Sequence, residues 1–84
     1  MRETVNEARV TLLGRAGCHL CDDAEAVVAR VTAHSGDTWV KVSIDEAPDL
    51  QKRYGEKIPV VFVDGREIAY WRVSERTLRA ALRR

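Results

Sequence analysis

The chain has 84 residues, 45% of them hydrophobic and 32% charged, with a net charge of +1, which is the make-up of one ordinary globular domain (1–84) with a limited core. No apolar stretch approaches the length of a membrane span, the opening MRETVNEARV lacks the apolar run of a secretion signal, and no basic run marks a nucleic-acid face. A cytoplasmic monomer is the expectation, and there two close cysteines point to redox or metal chemistry rather than to a permanent bridge.

Residues 1–8 are polar and expected to be loose. Arg9 to Gly14, RVTLLG, is a short apolar run ending at glycine and reads as a buried strand. The loop RAGC follows. From Cys18 onward Leu20, Ala24, Val27, Val28 and Val31 recur at spacings of three and four, the signature of one helix face. The helix closes at His34-Ser35-Gly36-Asp37, with Gly36 suited to a left-handed C-terminal position. Thr38 to Asp45 alternates, with Trp39, Lys41 and Ser43 on one side and Val40, Val42 and Ile44 on the other, as in a half-buried strand. Strand, helix and strand in this order favour a right-handed crossover and a parallel pair.

APDLQKRYG predicts a short helix that opens at Pro48, stops at Gly55 and turns Leu50 and Tyr54 inward. Val60 to Val63 and Glu67 to Tyr70 predict a hairpin across the two-residue turn Asp64-Gly65. VSERTLRAALRR closes the chain as a helix capped by Ser74, with Leu78, Ala81 and Leu82 as its apolar stripe. Arg72, Arg76, Arg79, Arg83 and Arg84 read as a solvated face and tail. The order β-α-β-α-β-β-α fits an α/β domain, a mixed four-stranded sheet flanked by three helices.

The chemistry gathers in GCHLC. The reactive form of a thiol is the thiolate, and the free N–H groups and dipole of a helix start favour negative charge. Cys18 stands there, and Cys21 lies one turn on, on the same side. Cys18 can attack a disulfide, and Cys21 can then resolve the mixed disulfide. A protonated His19 would favour the Cys18 thiolate, whereas Asp22 and Asp23 oppose it. Zinc is a competing reading, because Cys21 and His34 have a finger-like gap, but neither a second histidine at the required spacing nor a second C-x-x-C exists. Two incidental core cysteines are the other alternative. Pro59 opens a strand, a position that accepts a trans proline or a cis one in a tight turn.

GCHLC, IDEAPDLQKRYGEKIPVVFVDG and the terminal helix together resemble the glutaredoxin-like members of the thioredoxin-fold superfamily, small bacterial proteins with a C-x-L-C motif. The likeness runs from about Arg9 to Leu82. It implies a thioredoxin-like fold of glutaredoxin size and a thiol–disulfide oxidoreductase without bound cofactor or metal. It implies that Cys18 is the nucleophile and Cys21 the resolving thiol. It also implies that Pro59 is a cis-proline facing them, that the backbone of Ile58 pairs with a bound peptide or glutathione, and that Arg15 meets a glutathione carboxylate. The implied partners are a low-molecular-weight thiol or a reductase on one side and a protein disulfide on the other, with no nucleic acid or membrane. Glutaredoxins typically follow the last strand with Gly-Gly and a small polar–acidic pair that hold glutathione. AYWRVSE stands here instead, with Tyr70 and Trp71 bulky where glycines admit close backbone approach. That departure counts against glutathione and makes the aromatic pair core, rim or a protein contact, with core or rim preferred. A non-catalytic module holding metal or an iron–sulfur cluster through the cysteines is the alternative function.

Overall fold

A computed structural model describes residues 8–83; residues 1–7 of the stretch expected to be loose, and Arg84, lie outside the described residues. The elements follow the expected order: β1 (Val10–Gly14), α1 (His19–Ser35), β2 (Trp39–Ser43), α2 (Pro48–Tyr54), β3 (Val60–Val63), β4 (Arg66–Tyr70) and α3 (Glu75–Leu82). They form a mixed four-stranded sheet in the order β2-β1-β3-β4. β1 and β2 are parallel, as the crossover helix requires, and β1–β3 and β3–β4 are antiparallel.

Several boundaries move for physical reasons. The first strand starts at Val10, because Arg9 leaves the ladder to bond side chains outside it. The second runs only from Trp39 to Ser43, and Asp45 turns away to take its N–H to Ser43 Oγ. The hairpin returns at Arg66 rather than Glu67, since the Asp64-Gly65 turn, with φ of 53° and 84°, is tight enough for Arg66 to pair with Val63. Positive φ at both central positions is the backbone that Asp-Gly supplies in such turns. A register shift between Val61 and Phe62 skips Ile68. The spacing of apolar residues carried no sign of this bulge.

Alternate residues of β3 serve the two faces of the sheet. Val61 and Val63 join Val10, Leu12, Ala24, Val28, Val31, Leu78 and Leu82 under α1 and α3. Val60 joins Leu13, Ile44 and Ile58, with Leu50 and Tyr54 of α2 packed against them. Tyr54 also meets Phe62 edge to face at 5.8 Å, a favoured aromatic geometry. The end of this second cluster nearest the start of α1 is formed by the two cysteines.

Candidate dithiol site

Cys18 is the N-cap of α1, with extended backbone (φ −115°, ψ 112°), and its Sγ accepts the backbone N–H of Cys21 at 3.1 Å. The cap position is normally held by a side-chain oxygen that accepts one of the free N–H groups of the first turn; here a sulfur does so. Cys18 is half-buried, whereas Cys21 is 1% exposed. Both thiols are free. The arrangement leaves Cys18 partly exposed and Cys21 inside.

The two sulfurs have different surroundings. Burial, then the hydrogen bond with Cys18, pushes the Cys21 thiol from its ordinary 9.0 up to about 11, against the opposing pull of the Arg15 backbone N–H and charge. Cys21 is therefore a neutral thiol at neutral pH. Gly14, at the end of β1, lies against Cys21: a Cβ there would stand 3.4 Å from Sγ, in ordinary van der Waals contact.

The other sequence-selected residues divide. Ile58 and Pro59 are buried, the bond between them is cis, and Ile58 lies in the same apolar cluster as both cysteines. Arg15 and His19 are exposed at the mouth of the site, on the loop and at the first residue of α1. His34 is exposed in the last turn of α1, at the opposite end of the helix. Among the described residues no three His, Cys, Asp or Glu side chains gather as a metal cage, so no zinc finger is built from Cys21 and His34.

Two contacts escaped the sequence reading. Asp45 Oδ2 accepts the N–H of Ala16 at 3.2 Å and fixes the loop that leads to Cys18. Gln51 donates to the carbonyls of Ile44 and Asp45, both at 2.8 Å, and steadies the segment that carries Asp45. Neither contact has a local sequence signal. Of the places the sequence offered for the aromatic pair, the structure gives the rim and not the core: Tyr70 and Trp71 are 45% and 52% exposed. Trp71 has a left-handed backbone (φ 63°). Its N–H donates to the Pro59 carbonyl at 2.8 Å, and its indole Nε1–H donates to the Glu56 carbonyl at 2.8 Å.

A model of the family described as glutaredoxin-like domain (DUF836) matches residues 9–83. The chain belongs to that family. An uncharacterized protein of Mycobacterium tuberculosis is 35% identical over 85 residues, covering 95% of this chain and 88% of its own. Among solved structures, a structural genomics target protein from X. campestris superposes with a TM-score of 0.75 at 36% identity, covering 88% of this chain and 95% of that one. A glutaredoxin from Archaeoglobus fulgidus does so with a TM-score of 0.67 at 19% identity, over 99% and 98% of the two chains, a likeness of fold alone. The glutaredoxin-like family thus brings a thioredoxin-type fold with both cysteines of the C-x-x-C pair present. Among the described residues no helix is long and apolar enough to cross a membrane.

Proposed function

We propose that this glutaredoxin-like chain is a thiol–disulfide oxidoreductase that exchanges its Cys18–Cys21 dithiol with a small-thiol mixed disulfide or a protein disulfide. The observation that carries the reading is the cap: Sγ of the half-buried Cys18 receives the Cys21 N–H at 3.1 Å while Cys21 lies inside, buried and neutral. A helix start favours negative sulfur, and a thiolate is the attacking species. Cys18 opens the substrate disulfide and becomes joined to one of its sulfurs. Cys21 then loses its proton, attacks Cys18 and releases the second product thiol, leaving a Cys18–Cys21 disulfide. Because Cys21 is held as a thiol, it does not compete with Cys18 for the first attack. In this reading Arg15 and His19 meet the incoming group, and the Ile58 backbone and Pro59 line its bed.

The test is a pair of variants assayed with a small mixed disulfide and with a protein disulfide. Cys18→Ser is expected to lose exchange by at least about 10²-fold. Cys21→Ser is expected to accumulate a covalent adduct of substrate on Cys18, visible by mass spectrometry. Undiminished turnover in Cys18→Ser removes the assigned nucleophile and the reading with it.

A further inference from the structure

The second step of the exchange sets a requirement that the two cysteines do not meet by themselves. Cys21 is 1% exposed, and its proton is held chiefly by burial and then by the hydrogen bond with Cys18, the sulfur it has to attack. The thiolate, not the thiol, makes that attack. The first step lifts part of the restraint, since a Cys18 sulfur bonded into a mixed disulfide carries no charge to repel a second thiolate. Burial remains, and burial disfavours a charge unless an opposite charge stands close to it.

Lys41 is built close to that place. It pairs in register with Leu12, which lies in the cluster beneath α1, so the face of β2 that carries Lys41 is turned toward α1. At the end of β1 lysine and thiol meet: a Cβ on Gly14 would stand 3.4 Å from Cys21 Sγ and 4.0 Å from Lys41 Cε. Lys41 Nζ, one bond further on, donates to Glu25 Oε1 at 2.9 Å, and Glu25 stands one turn beyond Cys21 on the same side of α1. As a tie between α1 and β2, an ion pair whose side chains are 42% and 39% exposed contributes little; as a charge beside a buried thiol it has more to act on. The other charged or titratable groups around Cys21 are Cys18, His19, Asp22 and Glu25 of α1, Tyr54 of α2 and Arg15 of the loop, and Arg15 acts first through its backbone N–H and only then through its charge. Glu25 holds Lys41 above its ordinary 10.5, with smaller contributions from Asp22 and from charge on Cys21 itself. Lys41 is therefore a cation at every pH at which the dithiol works, and it lies within electrostatic reach of Cys21.

We infer that Lys41 is a positioning residue for the second step: its ammonium, moored by Glu25, favours the thiolate that forms on Cys21 and so hastens release of the reduced partner. The inference rests on the thiol–disulfide reading above and adds a third side chain to it. In the mixed disulfide Cys21 releases its proton to water, and its thiolate attacks Cys18 Sγ. The Cys18–Cys21 bond forms as the bond from Cys18 to the partner sulfur breaks, and that sulfur leaves as a thiolate that takes up a proton. Over both steps the partner gains two electrons and the cysteine pair loses them. Lys41 neither gives nor takes a proton; it steadies the charged form of Cys21. A lower thiol pKa weakens the nucleophile by less than it raises the thiolate fraction, so the attack gains speed on balance.

The test follows the two steps separately in a single turnover of the pre-reduced chain. Dithiodipyridine, a small uncharged disulfide, releases one absorbing thione when Cys18 attacks it and a second when Cys21 attacks Cys18, and it is used at concentrations where the first release is the faster. Lys41→Met keeps a side chain of similar length without the charge, and Lys41→Arg keeps the charge. At pH 7 the second release is expected to slow about threefold in Lys41→Met while the first keeps its rate. Between about pH 6 and 10 the midpoint of the second step is expected to move up by about one pH unit. The rate at high pH is expected to be no lower than in the wild type, because a thiolate of higher pKa is the stronger nucleophile. Lys41→Arg is expected to restore the wild-type profile. An unchanged second release, equal slowing of both releases, or a lower rate at every pH about an unmoved midpoint overturns the inference; the last two would show that the substitution only disturbs packing. If the wild type releases no thione, the oxidoreductase reading is what fails. The ultraviolet absorbance of the Cys21 thiolate in Cys18→Ser then decides Lys41 by itself. Its inflection is expected to rise by about one pH unit when Lys41→Met is added and to return with Lys41→Arg, and an inflection that stays in place overturns the role of Lys41.

Discussion

Burial of a thiol has a thermodynamic signature, and Cys21 supplies one. Its ordinary value of 9.0 rises to about 11 in the fold, chiefly through burial and then through the hydrogen bond with Cys18. Below pH 9 the thiol is protonated in both the folded and the unfolded chain, and its contribution to stability is complete. Between about 9 and about 11 the unfolded chain sheds the proton and the folded one retains it, so stability falls as pH rises. The reduced protein is expected to lose on the order of 2 kcal/mol relative to Cys21→Ala across that window. Urea denaturation of both proteins under reducing conditions measures it. A difference that stays flat from pH 8 to pH 11 rules out the buried-thiol account. In the proposed reading the same burial separates the duties of the pair, with Cys18 the first to react with an external disulfide.

The elements themselves were legible because each carried its own local signal. Alternating or apolar runs bounded by Gly14 and by Asp64-Gly65 gave the strands, and three-and-four spacing gave the helices. Gly36, with φ of 81°, donates its N–H to the Thr32 carbonyl as a left-handed cap. What stayed hidden depends on contacts made at a distance. Gly55 does stop α2, but in right-handed conformation; glycine is needed because a Cβ there would run into the Gln51 carbonyl oxygen. The skipped Ile68, the burial of Cys21 against Gly14 and the left-handed backbone of Trp71 arise only when separate segments meet. The motif C-x-x-C singled out the two cysteines, but it did not show which of the two sulfurs lies inside. Ser74 is the converse case, a local signal that holds in full: its Oγ accepts the Thr77 N–H at 3.0 Å at the start of α3. Ser74→Ala is expected to cost about 1 kcal/mol, and Ser74→Asp to recover most of it. Thermal melts of the three proteins check this. Equal stability of the alanine variant and the wild type would mean that Leu78 and Leu82 hold α3 in place without its cap.

Seen whole, the molecule places its chemistry and its main electrostatic tie at opposite ends of α1, whose 17 residues span about 25 Å. The dithiol caps one end. Near the other, Arg9 makes a two-point contact with Asp64 at 2.9 and 3.0 Å, and its third nitrogen reaches Asp37 at 3.1 Å and the Leu82 carbonyl at 3.2 Å. One guanidinium thereby joins the start of β1, the β3–β4 turn, the loop before β2 and the end of α3. Hydrogen bonding to Arg9 holds the Asp64 carboxyl below the usual carboxylate range, and Ser35 followed by Arg9 does the same for Asp37. Both carboxylates therefore contribute stability that is complete above their ordinary value of 3.8 and is lost as pH falls through their lower values in the folded chain. Arg9→Met, which keeps the length of the side chain and removes its donors, is expected to destabilise the protein at pH 7 and lower its urea midpoint. The gap to the wild type should narrow as the pH is lowered below about 4, where the carboxylates begin to protonate in the unfolded chain. Urea midpoints at pH 7, 4 and 3 for both proteins measure the two effects together. A gap that is constant with pH would show that Arg9 acts through its bond to the Leu82 carbonyl and its packing, not through the two aspartates. Because the tie lies a helix length from Cys18, the rate at which the variant reduces a small disulfide should match the wild type at temperatures where both are folded. A parallel loss of rate and stability would instead mean that α1 transmits a shift of its far end to the thiol that caps it.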